Sequence, residues 1–583
     1  MNKQETKQCQ NCKSNFTIEP DDFSFYEKIA VPPPTFCPEC RIKRRMMFMN
    51  ERTLFRVKDG KSGKEILSIF PPSALFPVYE HSFWWSDEWD PLDYGMEYDF
   101  SKPFFEQLKS LFDRVPRYNM TNVSSVNCSY CPRILHSKNS YQVVGWGAQE
   151  CMYGHFTRDV KNSQDYFFLI SSENCYECVY CVKSYNLLYS AFSRECMNSY
   201  FLYDCLNCQD CFGCIGLRNK KYYIFNIPHT KEEYEEKVEK YRTQVSTRQG
   251  REELYKKVKK HFLAFPRRYA RVHHSHNVTG DNLTHCKDSF ECFDIDAMQS
   301  VTENCKRIII GTATRDSHDL IEVGEGAELC YEGVTVSGAR NLFSHIAVEC
   351  QDVAYSYNCH NCRYLFGCNG LRNKKYCIFN KQYTQEEYEA LIPQIKKHMA
   401  DMPYIDEKGC TYQYGEFFPV DLSPFGYNQS TAQEYFPHSE EQARQSGYVW
   451  STQPQKRNYV VTMSEDDFPS SIGDVPDSIT SEIIACSHKG ECVHQCTTAF
   501  RITSHELAFY RTHNIPLPNM CPNCRHYARL AWRNPLTLWH RQCACTKEGH
   551  DHDGQCPNEF ETSYAPDRPE IVYCEECYKS EVV

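Results

Sequence analysis

Gly216-Leu-Arg-Asn-Lys-Lys-Tyr-Tyr-Ile-Phe-Asn226 returns with one change as Gly370-Leu-Arg-Asn-Lys-Lys-Tyr-Cys-Ile-Phe-Asn380, an offset of 154 residues. Residues 207–238 match residues 361–392. Upstream, Cys151, Cys175, Cys196, Cys205, Cys208 and Cys214 keep nearly the register of Cys305, Cys330, Cys350, Cys359, Cys362 and Cys368. The middle of the chain is therefore an internal duplication. Within each copy a shorter spacing recurs. Cys128, Cys151, Cys175, Cys196 and Cys214 stand 18 to 24 residues apart, and Cys286, Cys305, Cys330, Cys350 and Cys368 stand 18 to 25 apart. Strand-like runs such as Tyr141-Gln-Val-Val, Tyr166-Phe-Phe-Leu-Ile and Arg307-Ile-Ile-Ile fall between them, with Asn, Ser, Asp and Gly at the turns.

Recurrence at roughly 20–25 residues predicts stacked coils, each burying one face on its neighbours. The expected fold is mainly β: a duplicated parallel β-helix or solenoid, copy 1 over 121–228 and copy 2 over 267–382. A β-sandwich is the alternative. Each copy ends in a short helical arm, 229–266 and 383–402. The capping boxes Thr230-Lys-Glu-Glu233 and Thr384-Gln-Glu-Glu387 mark where these arms start, and Gly250 is a possible break in the first. Residues 403–481, rich in Pro, Phe, Tyr and Asp with one helix at Ser439–Gln445, read as a connector lying against the solenoid.

The two ends share a different pattern. The first is Cys9-Gln-Asn-Cys12, then Phe16, Phe25-Tyr26, Pro32-Pro-Pro and Cys37-Pro-Glu-Cys40-Arg41. The second is Cys492-Val-His-Gln-Cys496, then Phe500, Phe509-Tyr510, Pro516-Leu-Pro518 and Cys521-Pro-Asn-Cys524-Arg525. Cys12 to Cys37 and Cys496 to Cys521 both span 25 residues. Two cysteines close together on a tight turn aim two thiolates at one point, and two such knuckles complete a tetrahedral zinc site. This predicts one Zn²⁺ on Cys9, Cys12, Cys37 and Cys40 and a second on Cys492, Cys496, Cys521 and Cys524. Disulfides or a redox C-x-x-C are the competing readings.

These ends resemble a small bacterial zinc-ribbon family with the pattern C-x2-C, F, FY, P, CPxCR. In that family a second ribbon often closes on a VYC-x2-C knuckle, which Val572-Tyr573-Cys574-Glu-Glu-Cys577 matches. The resemblance implies a third zinc on Cys574 and Cys577 with Cys556 and Cys543, leaving Cys545, His550 and His552 as competitors. At the other end Val78-Tyr79-Glu80-His81-Ser82-Phe83 lacks both cysteines, implying a metal-free ribbon packed on Phe83, Trp84, Trp85 and Trp89. More broadly the chain resembles cysteine-rich proteins of candidate-phylum bacteria that share the GLRNKKY-x-IFN and APDRPEIVYCEECY stretches. That resemblance brings no activity with it. The expected layout is a zinc ribbon over 1–52, a degenerate ribbon and connector over 53–120, and tandem zinc ribbons over 482–583.

The central cysteines invite other chemistry. Cys205, Cys208, Cys211 and Cys214 have an iron–sulfur-like spacing, but the last gap is short and Ile215 stands where ferredoxin runs carry Pro. Copy 2 offers Leu365, Gly333 and Val336 where copy 1 has Cys211, Cys178 and Cys181. A position that accepts Cys or Leu is a packing site, so these thiols are expected to fill a core. An extra metal site is the alternative.

Composition narrows the function. Aromatics at 14%, with 40 Tyr and 35 Phe, exclude a disordered chain. A mean hydropathy of −0.62 and no long apolar run argue against a membrane span. Residues 1–10 are polar and show no secretory signal, and 35 cysteines, an odd number, fit complete disulfide pairing poorly. A reducing, cytoplasmic setting is expected. No P-loop, G-x-G-x-x-G or nucleophile elbow is present.

The expected role is a non-enzymatic protein carrying two to three structural zinc ions and offering a solenoid surface to a macromolecule. Two alternatives accompany it. One is nucleic-acid binding, RNA rather than DNA, through Arg41, Lys43, Arg44 and Arg45 and through Arg525 and Arg529 beside the knuckles, with Arg267, Arg268 and Arg271 as a further group. The other is a β-helix carbohydrate-active enzyme using Asp294, Asp296 and the acids around Asp316, Asp319 and Glu322. His273-His274-Ser-His276 reads as a polar turn.

Overall fold

The computed structural model describes residues 4–296, 300–452 and 460–582. It is mostly β, with twelve α-helices among the described residues. Two long parallel ladders form its middle, one from Thr121–Val123 to Lys221–Ile224 and one from Val272–His273 to Lys375–Ile378. Their register corrects the expected period. Met152 pairs with Gln164, Tyr185 with Met197, Met197 with Gln209 and Gln209 with Lys221, and in the second ladder Gln351 pairs with Arg363 and Arg363 with Lys375. Rungs are twelve residues apart throughout these pairs, with spacings of 11 to 16 elsewhere in the second ladder, rather than 20 to 25, because cysteines occupy only some rungs.

The backbone shows how twelve residues make a rung. From Glu150 to Phe225 the described φ values turn positive at every third residue, as at Glu150, Tyr153, Phe156, Asp159 and Asn162. Two extended residues followed by one left-handed residue give a short side and a corner, four to each rung. Asn and Asp tolerate that conformation best, and many corners use them. Their side chains then stack at the twelve-residue repeat: Asn186 donates to Asn198 (3.1 Å), Asn207 to Asn219 (2.8 Å) and Asn361 to Asn373 (2.6 Å). Bulky residues also occupy corners, at a cost on the order of 1–3 kcal/mol each. Ring stacking offsets part of it, as in Tyr180 on Phe192 (5.2 Å), Tyr189 on Phe201 (4.9 Å) and Phe343 on Tyr355 (4.8 Å).

Inside the ladders the cysteines are buried in two clusters with Leu, Ile and Val. Each small side chain also adds a second hydrogen bond to corner carbonyls that already accept a backbone N–H from a neighbouring rung. The Cys151 thiol donates to the Gln149 and Val160 carbonyls (both 3.3 Å), and Cys178 donates to those of Tyr176 (3.5 Å) and Leu187 (3.3 Å). Serine does the same at equivalent corners: Ser163 donates to the Lys161 carbonyl (2.7 Å) and accepts from the Cys175 N–H (3.0 Å). A thiol suits the place because it is apolar enough for a core yet is a weak donor.

The duplicated motif closes each ladder. Asn226, at φ 62°, accepts from the Ile215 N–H (2.9 Å) and donates to its carbonyl (2.8 Å). Asn380, at φ 60°, does the same to Asn369 (both 2.8 Å). Thr230 and Thr384 then cap the helices Lys231–Val245 and Gln385–Asp401, both with complete capping boxes. The first arm breaks at Ser246-Thr247 rather than at Gly250, which sits in the first turn of Arg248–Leu263 and donates to the Thr247 hydroxyl (3.2 Å).

At the ends, the hairpin Glu5–Gln8/Asn15–Ile18 and helices Pro20–Lys28 and Pro38–Met46 have counterparts in Ile484–Ala485/Ala499–Phe500, Ser504–His513 and Pro522–Leu530. The next hairpin, Phe55–Lys58/Glu65–Ser68, corresponds to Trp539–Gln542/Glu559–Thr562. Among the described residues no helix is long and apolar enough to cross a membrane.

Candidate metal centres

At the N-terminus the Cys9 N–H donates to the Ser14 carbonyl (2.9 Å), closing the turn that carries Cys9 and Cys12. Cys37 caps the helix Pro38–Met46 and Cys40 lies in its first turn. The four sulfurs lie within 4.8 Å of one another, with Cys12 and Cys37 3.6 Å apart. Sulfurs bound at about 2.3 Å to one tetrahedral ion stand about 3.8 Å apart, whereas a disulfide needs about 2.05 Å. The spacing is that of a metal cage, and all 35 cysteines are free of disulfides. The Asn11 amide donates to the Cys40 sulfur (3.4 Å), a neighbour that favours thiolate.

The C-terminal ribbon corrects one ligand. The sulfurs brought together are Cys486, Cys496, Cys521 and Cys524, not Cys492. The Cys486 N–H donates to the Thr498 carbonyl (2.8 Å) as Cys9 does to Ser14, so Cys486 is the counterpart of Cys9. Its knuckle carries seven extra residues, which placed Cys492 at a knuckle-like spacing in sequence while Cys486 holds the position in space. Cys486 lies 3.8 Å from Cys524, and Cys496 lies 4.0 Å from Cys521. Cys492 joins an adjoining group with His488, His494 and the shared Cys524. Its sulfur is 3.7 Å from that of Cys524.

In the last ribbon Cys543, Cys556, Cys574 and Cys577 converge, all buried, with Cys556 and Cys574 3.9 Å apart. Cys545, His550 and His552 form a second group that shares Cys577. The matching segment at the other end shows what stands in place of these cysteines. Asp59 stands where Cys543 stands; its carboxylate accepts the Glu80 N–H (3.0 Å) and the Ser62 N–H (2.6 Å), while the Cys543 sulfur accepts the Cys574 N–H (3.2 Å). Trp84 is buried against Trp89 (5.7 Å) and Tyr118 (5.1 Å), and Phe83 packs on Tyr79 (5.0 Å). Trp85 is 39% exposed and edges His360 instead.

The arginines beside the knuckles do not face solvent. Arg41, Arg44, Arg45, Arg525 and Arg529 are each at most 2% exposed. Arg41 bonds Asp319 (2.9 Å) and Glu332 (3.3 Å), Arg45 pairs with both, and Arg44 reaches Glu332 (2.9 Å) and Glu416 of the connector (3.1 Å). Arg525 pairs with Asp165 (3.2 Å) and Glu506 (3.2 Å), and Arg529 with Asp165 (2.9 Å) and Glu177 (3.2 Å). Lys43 pairs with Glu39 and lies over Phe436. Arg268 binds Glu575, and Arg271 binds Asp281. The nucleic-acid alternative places these residues on a phosphate-facing surface; Arg41, Arg44, Arg45, Arg525 and Arg529 instead join ribbons to ladders and connector through ion pairs with acids, whereas Lys43 pairs within its own helix. Burial would push the Asp319 carboxyl up, but Arg307, Arg41 and Arg45 outweigh it and hold the group well below the usual carboxylate range.

The acids of the enzyme reading divide between two places. Asp319 belongs to the dock. Asp294 is buried and accepts from the Tyr180 hydroxyl (2.8 Å) and the Asn282 amide (2.7 Å). Glu322 pairs with Arg133 (2.6 Å), and burial lifts its carboxyl to about 7 against the pull of Arg133. Asp294, Asp296 and Glu322 line a cavity of about 470 Å³ between the ladders, with Trp146, Phe156 and Phe168. Cys486, His488 and His494 are the candidate ligands that sequence reasoning missed. Alignment of the two hairpins, rather than of the C-x-x-C spacings, was the signal for Cys486.

Fold and sites define a cysteine-rich, mostly β protein whose two ends carry clusters able to hold metal ions. Compared with protein-family models and with curated proteins, the chain matches none.

Proposed function

We propose that this is a cytoplasmic, zinc-stapled structural and interaction protein, non-enzymatic, whose twelve-residue rungs are the coils of two β-solenoids offered to a macromolecular partner. One observation carries the reading: each terminal cage gathers four cysteines at tetrahedral spacing, and the arginines beside it are spent on docking that ribbon to a ladder. Four protein ligands leave no open position for substrate or activated water, so the ions would act as folding staples. Zn²⁺ suits an all-thiolate tetrahedral set. Cys9, Cys12, Cys37 and Cys40 would hold one ion, Cys486, Cys496, Cys521 and Cys524 a second, and Cys543, Cys556, Cys574 and Cys577 a third. What remains for a partner is the ladder wall, where Tyr185 (46% exposed) and Met197 (41%) stand side by side on neighbouring rungs.

Metal analysis of the purified, reduced chain tests the reading. At least three zinc ions per chain are expected, and fewer than two overturn it. Single-stranded RNA titrated at low salt tests the partner class. Binding weakened by Arg44→Ala with the fold intact would restore the nucleic-acid alternative, whereas the proposal expects Arg44→Ala to change stability instead.

A further inference from the structure

We infer that the last ribbon is a two-metal centre: Cys545, His550, His552 and Cys577 hold a second zinc ion, and the Cys577 thiolate bridges it to the ion of Cys543, Cys556 and Cys574. The inference rests on the ribbon reading above and adds a site to it.

The geometry of the second group is that of ligands. Its four atoms lie within 4.8 Å of one another. Cys545 Sγ is 3.2 Å from His550 Nδ1, and Cys577 Sγ is 3.4 Å from His552 Nε2. A sulfur at about 2.3 Å and a nitrogen at about 2.0 Å from one tetrahedral ion stand about 3.5 Å apart. The outer nitrogen of each imidazole is also held. His550 Nε2 lies 3.3 Å from Glu581 Oε1, and His552 Nδ1 lies 3.0 Å from the Gly554 carbonyl. An N–H donated outward fixes the neutral tautomer whose lone pair points inward, the arrangement that orients metal-bound histidines. Two neutral imidazoles and two thiolates are a standard zinc donor set.

Charge favours the second ion as well. The cluster gathers five thiols, Cys543, Cys545, Cys556, Cys574 and Cys577. One divalent ion leaves the fifth thiol without a counter-charge. Two ions shared among five thiolates leave a single net negative charge, where one ion would leave three, and every thiolate then touches a cation.

The N-terminal counterpart shows that the hairpin does not need this segment. There the Asp59 N–H donates to the Lys64 carbonyl (2.8 Å); here the Cys543 N–H donates to Asn558 (2.8 Å), with ten more residues between. That insertion carries Cys545, His550, His552 and Cys556. The seven-residue insertion at the preceding knuckle does the same, bringing His488, Cys492 and His494 beside Cys524. Both insertions extend a ribbon cage through one shared thiolate.

The test counts zinc per chain in the full-length protein after gel filtration, by inductively coupled plasma mass spectrometry. The double substitution His550→Ala/His552→Ala is expected to hold one ion fewer than the wild type while keeping its near-ultraviolet circular dichroism, and Cys545→Ser is expected to do the same. Cys543→Ser/Cys574→Ser should lose one, the ion of the first cage, because Cys577 stays with Cys545, His550 and His552 as a complete ligand set. Equal zinc in wild type, His550→Ala/His552→Ala and Cys545→Ser overturns the inference and leaves the ribbon reading standing. Equal zinc in wild type and Cys543→Ser/Cys574→Ser overturns the ribbon reading itself. In the cobalt-substituted protein, the histidine variant should lose part of the visible d–d absorption but keep the sulfur-to-cobalt charge-transfer band.

Discussion

The N-terminal ribbon sits on the second ladder and the C-terminal ribbon on the first, and the two docks use corresponding residues. Arg41 and Arg45 meet Asp319 and Glu332; Arg525 and Arg529 meet Asp165 and Glu177. Tyr26 meets Tyr331 (5.4 Å) where Tyr510 meets Tyr176 (6.0 Å). The wiring around this shared frame differs. Asp319 also takes Arg307, and Asp22 takes Lys306 and Arg307, whereas copy 1 has Tyr153 in place of Arg307, donating to Glu506 (3.0 Å). The N-terminal dock adds Arg44 and Glu416; the C-terminal dock adds His526, which bonds Glu434 of the connector (2.8 Å). One dock is a dense ionic network, while the other replaces part of it with phenols and an imidazole. Crossing each ribbon to the other copy ties the two halves of the chain together.

The largest break should come from the cages. In small zinc modules the ion supplies roughly 10–16 kcal/mol of folding energy. Cys40→Ser and Cys524→Ser should each release zinc and expose their own ribbon to limited proteolysis, and the peptide maps should differ between the two. Identical maps would mean that the ribbons do not fold separately around their own ions.

Next come the buried acids. Removing one partner of a buried ion pair costs roughly 3–5 kcal/mol. Asp165→Asn and Asp319→Asn should both lower the urea midpoint, Asp319→Asn by more, because it strands three guanidiniums rather than two. The reverse order would place the weight of the fold on the first ladder.

Acid should sharpen the contrast. The Asp319 carboxyl is lowered from an ordinary value of 3.8, so its contribution is complete above that pH and disappears as pH falls toward its folded value. The stability difference between wild type and Asp319→Asn should be constant from pH 6 to 5 and shrink below pH 4. A difference unchanged at pH 3 would contradict the pairing.

The smallest effect belongs to the ladder thiols. Cys211→Leu, which gives copy 1 the residue copy 2 carries at Leu365, should lower stability by about 1–3 kcal/mol, the cost of added volume in a packed core, and leave the zinc count unaltered. Loss of an ion would make Cys211 a ligand.

Much of the β class and the end clusters was legible because local pattern encodes them. The motif around Gly216 and Gly370 marked the duplicated ends, and Asn226 and Asn380 now explain its last letter as the residue that closes a ladder. The twelve-residue rung was not legible from cysteines alone, since serine fills equivalent corners and breaks the count, as Ser163 does. The arginine clusters misled for a related reason: a run of cations beside a knuckle reads the same whether it meets phosphate or a buried carboxylate.

The order of residues along the chain by itself determined where thiolates pair on tight turns, which segments repeat and which helices are capped, all interactions between residues a few positions apart. Only the three-dimensional arrangement decided that Asp319 and Asp165 would receive the ribbons' guanidiniums, that Cys486 rather than Cys492 completes a cage, and that two histidines face Cys545 and Cys577. Those pairings join residues far apart in the chain or separated by insertions, and burial, which linear spacing does not record, decides which charges find one another.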